Sequence, residues 1–292
     1  MKRIIPRELI KHLEWAPGQD SPEQQVISPI VHPALSPAFS IDDILNGTVF
    51  YDASMPTALR QALDYAGTNG IVATMPEFIA AKAKADKGHA FWQSWHTAHT
   101  EEDIGVDKKG SFYRSGEPVL VVVHGGGILT PERIQQAYDE GLLNNSAKYR
   151  DEEFDYLLEG KLGDGTNIPL YRLDEIEAGK SGLPHRFGVV MPYGMAQATK
   201  SGYHQKGPFL ENPLVIARAA GSLEHLEAFY EKAKSSNGDL GNYHSFNGRD
   251  AAAPQGRVLF VDSNYIGLYG YYNLYNNGRF VGVAPEARGA RK

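Results

Sequence analysis

The chain has 292 residues, of which 42% are hydrophobic and 22% are charged, and its formal net charge is −6. These values are typical of a globular protein that buries a substantial core. The acidic balance argues against general nucleic-acid binding. The absence of cysteine excludes disulfides, thiolate nucleophiles and zinc–cysteine sites. No stretch approaches 18 apolar residues and no apolar signal segment is present, so we expect a cytoplasmic protein without a membrane partner.

Residues 1–110 are predicted to form a helical N-terminal region. Within it, residues 16–40 contain five prolines, a density that is incompatible with a regular helix or a central strand. We interpret this segment as a proline-rich arm, which packs either on its own domain or around a neighbouring subunit. Apolar spacing predicts helices over residues 56–66, 76–86 and 89–99.

A polar segment at residues 101–112 is interpreted as a solvated loop and a domain boundary. Residues 111–292 then alternate apolar runs with helical patterns, which predicts an α/β domain whose mixed, mainly parallel sheet is flanked by helices. Asn277-Gly278 predicts a C-terminal antiparallel hairpin. Further strands are predicted at residues 119–123, 187–191, 213–217 and 257–261, and further helices at 131–140, 151–159, 173–178 and 223–233.

The segment EPVLVVVHGGGILTPER, residues 117–133, contains the clearest candidate site. An apolar strand leads into His124 and then into Gly125, Gly126 and Gly127, and a helix is predicted to begin at Thr130. Glycines let another group approach the main chain closely, and the first turn of a helix presents unpaired N–H groups. This combination predicts a cradle for a small anion, with His124 as a candidate catalytic residue. The alternative is a tight turn whose glycines serve packing alone.

The VVVHGGG stretch resembles two known glycine loops. It resembles the oxyanion strand of lipase-like α/β-hydrolases, a family that also needs a G-x-S-x-G nucleophile motif, and no such motif follows here. It also resembles the second glycine loop of amino-acid kinases, but the lysine-bearing loop that precedes it in that family has no counterpart. The chain is assigned to neither family, and the cofactor stays unknown.

Two weaker polar clusters accompany this loop. Lys200 and Ser201 follow a predicted strand and are candidate anion-binding residues at the same sheet edge. His96, His99 and Glu101 are weak candidates for metal ligands, because two histidines three residues apart share a helix face. Their spacing lacks the H-E-x-x-H pattern, so no metal site is predicted.

Tyrosine is abundant, with 16 residues in the chain. In an extended strand, Tyr269, Tyr271 and Tyr275 would lie on one face, and Leu268, Tyr272 and Leu274 on the other. The tyrosine face could stack on a ligand, contact another subunit or simply pack. It is a candidate interface for a homo-oligomer.

Two functional hypotheses remain open at this stage. The first is a protein, possibly an enzyme, that binds a small anionic molecule at the glycine loop. The second is a structural, self-assembling subunit, such as a capsid, shell or filament component, that uses the arm and the tyrosine-rich hairpin.

Overall fold

The computed structural model describes residues 39–246, 248–263, 267–271 and 274–285. The arm predicted at residues 16–40 lies outside these ranges apart from its last two positions. Within the described ranges, no helix is long and apolar enough to cross a membrane.

A small sheet joins the two ends of the described chain. Strand β1 (Thr48–Asp52) pairs antiparallel with β12 (Gly278–Val283), so that Thr48 lies opposite Gly282. The other edge of β12 pairs with β2 (Ile71–Val72). Helix α2 (Met55–Ala66) buries its apolar side in the same core cluster as Phe280 of β12.

A larger sheet forms the centre of the molecule, with strand order β6-β7-β4-β3-β10-β11-β9-β8 and β5 beside β10. The strand bounds are β3 His96–Asp107, β4 Glu117–His124, β5 Ala147–Lys148, β6 Leu170–Arg172, β7 Phe187–Pro192, β8 Gly202–His204, β9 Leu240–His244, β10 Gln255–Val261 and β11 Leu268–Gly270. The expected α/β architecture with a mixed sheet is confirmed. The expectation of a mainly parallel sheet is wrong, because only β6/β7 and β11/β9 pair in parallel among the described strands.

Ten further helices lie in the described ranges. Their bounds are α1 Ile41–Leu45, α3 Met75–Lys84, α4 Ala90–Gln93, α5 Pro131–Glu140, α6 Asp151–Leu158, α7 Leu173–Glu177, α8 Tyr193–Ala198, α9 Lys206–Leu210, α10 Pro213–Arg218 and α11 Leu223–Ala233. The strand predicted at residues 213–217 is therefore wrong. Asn212 caps a helix there, since its side-chain oxygen accepts hydrogen bonds from the N–H groups of Leu214 and Val215.

The region around β3 differs most from the sequence-based expectation. The predicted helix over residues 89–99 is reduced to α4, and β3 begins at His96. The polar run interpreted as a solvated loop is buried instead, with Glu101, Glu102, Asp103 and Asp107 at most 2% exposed. Since β3 and β4 pair along eight positions, the boundary expected at residues 101–112 lies inside the central hairpin of one sheet.

The predicted C-terminal hairpin is also wrong. β11 pairs with β10 and β9 in the large sheet, whereas β12 pairs with β1 and β2 in the small sheet. Leu274 is buried between them, as expected for the apolar side of this segment. The chain therefore leaves one sheet after residue 270 and enters the other at Gly278.

Candidate functional site

The glycine loop after β4 is held by the neighbouring strand. Gly125 and Gly126 have positive φ values of 80° and 87°, which glycine adopts without steric cost. Their N–H groups donate to the same carbonyl oxygen of His99, at 2.8 and 3.3 Å. These two amides are therefore satisfied inside the protein.

The next amides of the loop bind an anion that belongs to the protein itself. Glu101 reaches across from β3 and is 2% exposed. Its Oε1 accepts a hydrogen bond from the N–H of Ile128 at 2.5 Å, and its Oε2 accepts one from Leu129 at 3.0 Å. Thr130 caps α5 by accepting a hydrogen bond from the N–H of Arg133 at 3.2 Å. An external anion at this loop stays a prediction, and it would have to displace the Glu101 carboxylate.

His124 lies below the loop and is fully buried. Its Nδ1 is 3.2 Å from the hydroxyl of Thr100, and its Nε2 is 3.1 Å from the carbonyl oxygen of Ala217. Burial lowers the pKa of His124 to about 4, so the imidazole is neutral at physiological pH. Both ring nitrogens have internal partners, which fits a role in joining β3, β4 and α10.

The second polar cluster is not adjacent to the glycine loop. Ser201 bridges to β9, since its Oγ donates to the carbonyl oxygen of His244 at 2.9 Å and accepts from the His244 N–H at 3.0 Å. Lys200 precedes β8, the edge strand, which is separated from β4 by four other strands. The structure therefore does not bring Lys200 and Ser201 together with Gly125–Gly127.

The candidate metal ligands occupy apolar or hydrogen-bonded surroundings. The His96 ring packs against those of Phe78 and Phe91, with centroid distances of 5.2 and 4.9 Å. Burial lowers the pKa of both His96 and His99 to about 3. In the part of the chain that the structure describes, no three His, Asp or Glu side chains gather as a metal site would require.

Two buried carboxyl groups, those of Glu101 and Asp103, interact with each other on β3. Burial and the neighbouring Glu101 raise the pKa of Asp103 well above its usual range, and burial also raises the pKa of Glu101. Tyr149 donates a hydrogen bond to Asp103 at 2.7 Å. We infer that Asp103 is the protonated member of the pair, because two adjacent buried carboxylates repel each other.

Replacing Asp103→Asn should change how stability depends on pH. Above the unfolded pKa of about 4, the folded wild type holds a proton that the unfolded chain releases. Stability from this group is therefore fully present below that pKa and is lost as pH rises towards the raised folded pKa. Asn does not titrate, so the stability of the Asp103→Asn variant should not fall in this way as pH rises. The variant should be at least as stable as the wild type at neutral pH. Urea unfolding between pH 4 and 8 measures it, with exposed Asp139→Asn as the control; parallel profiles for wild type and Asp103→Asn would contradict the expectation.

A row of aromatic side chains crosses the other half of the large sheet. The rings of Tyr203 on β8 and Tyr243 on β9 are 5.7 Å apart, and those of Tyr243 and Tyr269 on β11 are 5.2 Å apart. Tyr269 lies directly opposite Phe260 on β10. Because directly paired residues share a face of a sheet, these rings line one face across four adjacent strands.

The row continues into the small sheet. The ring of Phe260 is 5.9 Å from that of Trp95, and Trp95 is 6.3 Å from Tyr51 on β1. Asn277 donates a hydrogen bond to the Tyr51 hydroxyl at 2.7 Å, and the Arg279 guanidinium lies 5.9 Å from the Tyr51 ring centroid. We call this row the aromatic strip; it consists of Tyr203, Tyr243, Tyr269, Phe260, Trp95 and Tyr51.

Two of the three tyrosines predicted as an interface lie on or beside this strip, and the third, Tyr275, lies against α5. Tyr269 belongs to the strip, and the ring of Tyr271 is 6.1 Å from that of Tyr269. Tyr275 stacks on Tyr138 at 4.5 Å and donates a hydrogen bond to its carbonyl oxygen at 3.3 Å. Tyr271 and Tyr275 are 55% and 51% exposed, so much of each ring faces solvent.

Sequence reasoning missed the other half of the strip. Tyr51, Trp95, Tyr203 and Tyr243 lie on separate elements, far apart in the sequence. The abundance of tyrosine was the one available signal, and it gave no indication of which rings would meet. Their meeting depends on β9 pairing with β11 and on β1 pairing with β12, both of which are long-range contacts.

Comparisons with known proteins gave one informative similarity. A scan against protein-family models found no match, and a search of curated proteins found none. A solved structure from work on Nanoarchaeota, described as the accommodation of massive sequence variation by the C-type lectin fold, is 31% identical in sequence. The match covers 81% of this chain and 97% of that chain, with a TM-score of 0.61.

Proposed function

This chain belongs to the C-type lectin fold family, and from that premise we propose that it is a binding protein that recognises the surface of another protein through the exposed tyrosines of the aromatic strip, Tyr51 and Tyr203, together with Tyr271 and Tyr275. The observation that carries the proposal is the strip itself. The row extends across both sheets. Its Tyr51 and Tyr203 side chains are 54% and 38% exposed, whereas Phe260 at its centre is 2% exposed and belongs to the core. Tyrosine combines a large, rigid contact area with a polar tip, which is why it is enriched at protein interfaces and in antibody loops.

The shape of the surface favours a macromolecular partner. Sites for small molecules are usually concave and enclose most of the ligand. The strip follows a sheet face instead, and its exposed rings lie on the separate strands β1 and β8 and on the segment after β11. A row of this kind suits the broad surface of a folded protein, where a few central aromatic residues supply most of the binding energy.

The backbone beneath the strip is fixed by contacts that do not involve the strip side chains. Arg257 of β10 donates hydrogen bonds to the carbonyl oxygens of Gly270 at 2.9 Å and Asn144 at 3.1 Å. Arg218 donates to the carbonyl oxygen of Tyr243 at 3.1 Å. Because these bonds hold the main chain from below, substitutions of exposed strip residues should leave the fold intact. The sequence variation described for the Nanoarchaeota relative supports the same proposal.

A display library tests both parts of this proposal. Tyr51, Tyr203, Tyr271 and Tyr275 are randomised together, and a control library of similar size randomises the exposed side chains of Tyr65, Tyr156 and Met195. Both libraries are selected for binding to egg-white lysozyme as the probe. We expect most members of the strip library to fold, with melting temperatures within about 4 °C of the wild type, since surface substitutions change stability by about 0.5 kcal/mol each.

Binders should come from the strip library. Replacing a selected residue by alanine should weaken lysozyme binding at least tenfold, about 1.4 kcal/mol, as expected for a residue that contributes strongly to an interface. An equal yield of binders from the control library would contradict the proposal that the strip is the binding surface. Failure of most strip clones to display would show that these side chains serve the fold instead.

Self-association through the same surface is the second candidate, favoured by the exposure of Tyr271 and Tyr275. Light scattering on the wild type separates the two. An oligomer that Tyr271→Ser/Tyr275→Ser dissociates and exposed Tyr156→Ser does not would identify a second copy of the chain as the partner.

A further inference from the structure

Arg249 is a buried cation whose guanidinium has no hydrogen-bond partner among the described residues. The residue is 5% exposed, and its Nε, Nη1 and Nη2 atoms make no hydrogen bond with any residue that the structure describes. Burying a charge is strongly unfavourable unless it is paired and hydrogen-bonded. A guanidinium with three unused nitrogens therefore indicates a ligand.

Further unused polar atoms lie around the neighbouring ion pair on the buried face of the sheet. Arg218 Nε donates to Glu102 Oε1 at 2.8 Å, and Arg218 Nη1 donates to Asn242 Oδ1 at 2.5 Å. The second guanidinium nitrogen of Arg218, Nη2, and the amide nitrogen of Asn242 have no partner in the described chain, and neither do Glu102 Oε2 and His244 Nδ1. Donors thus outnumber acceptors among these atoms.

The charges of the cluster do not balance. Arg218 and Arg249 carry one positive charge each, and Glu102 carries the negative charge that interacts with both of them. Burial lowers the pKa of His244 to about 4, so this imidazole contributes no charge at neutral pH. Within this cluster one positive charge is left over, and it matches a single monovalent anion.

We propose that the buried cluster of Arg218, Asn242 and Arg249, beside Glu102 and His244, binds a small monovalent anion of the chloride type. The anion accepts hydrogen bonds from the Arg249 guanidinium and from the unused N–H groups of Arg218 and Asn242. Asn242 and His244 alternate with Tyr243 along β9, so the site lies on the face opposite to the aromatic strip. The ion acts as an internal counter-ion for the part of the sheet that carries the strip, and this inference does not depend on the proposed function.

The first experiment uses the wild-type protein. Crystals are soaked in sodium bromide and measured at the bromine absorption edge. The expected result is an anomalous peak within about 3.5 Å of the Arg249 guanidinium nitrogens, on the buried face of β9. Ordered water in this cluster with no anomalous signal, or bromide found on surface residues only, would overturn the proposal.

The second experiment measures stability against chloride concentration. Sodium chloride replaces sodium isethionate at constant ionic strength, so that general screening stays fixed. For millimolar affinity, the melting temperature should rise by roughly 5 °C between 1 and 100 mM chloride. Arg249→Met should abolish this rise, and exposed Arg114→Met should retain it.

The outcomes of the second experiment are distinct. A rise that persists in Arg249→Met, or a wild type indifferent to chloride, would count against the site. If Arg249→Met does not fold, the chloride dependence of the wild type and of Arg114→Met is read together with the bromide peak.

Discussion

Gly127→Ala is expected to destabilise the protein by about 2–4 kcal/mol. A β-carbon at Gly127 would overlap Glu101 Oε1. That oxygen cannot move aside without losing its hydrogen bond from Ile128, and the Leu129 N–H is held by the same carboxylate. Buried amides left without an acceptor then add to the steric cost. Urea unfolding monitored by circular dichroism measures the change.

Gly207→Ala is the matched control for this experiment. Gly207 lies in α9, and a β-carbon there would meet nothing within 4 Å. Its replacement should be neutral or stabilise by about 0.5 kcal/mol, because alanine favours a helix. Equal stability of the two variants would mean that the Glu101 carboxylate does not fill the space above Gly127, and the loop would again be a candidate site for an external anion.

Arg218→Met should cost about 3–5 kcal/mol, the usual effect of removing one member of a buried ion pair. Both side chains of the Arg218–Glu102 pair are fully buried. The substitution removes the hydrogen-bonded ion-pair partner of Glu102 and the donor to Asn242 Oδ1. The loss should appear as a lower denaturant midpoint with an unchanged slope.

Two further variants test whether the loss comes from the buried charge. Glu102→Gln/Arg218→Met should recover much of the loss, because the stranded charge is gone. Arg60→Met breaks the exposed pair of Arg60 with Glu132, whose side chains are 52% and 66% exposed, and should cost less than about 1 kcal/mol. A double variant no more stable than Arg218→Met alone would show that packing, not charge, accounts for the loss.

Local signals predicted several of the helices well. The helices at 131–140 and 223–233 have the bounds expected from apolar spacing, Pro131 and the residues that follow them. Such signals are read within one segment, and tertiary contacts do not override them here. The short strand β7 was recognised for the same reason, since an apolar run in the centre of a sheet leaves a continuous pattern.

The prediction for β3 was wrong because this strand carries polar residues that are buried in the core. Glu102 and Asp103 suggested solvent, but each has a buried partner from a distant part of the chain, Arg218 and Tyr149. The sequence of residues 96–107 does not indicate that these partners exist. The sequence predicted an external small anion at the glycine loop, which stays a prediction. It did not indicate that the Glu101 carboxylate of β3 would accept hydrogen bonds from the loop.

The pairing of β1 with β12 has a consequence for folding during synthesis. Thr48 lies opposite Gly282, so the earliest strand of the small sheet has no partner until residue 282 has left the ribosome. The next strand along the chain, β2, also pairs with β12 and not with β1. Contacts this distant along the chain slow folding. The nascent protein must therefore keep residues 48–52 out of wrong pairings for most of its translation.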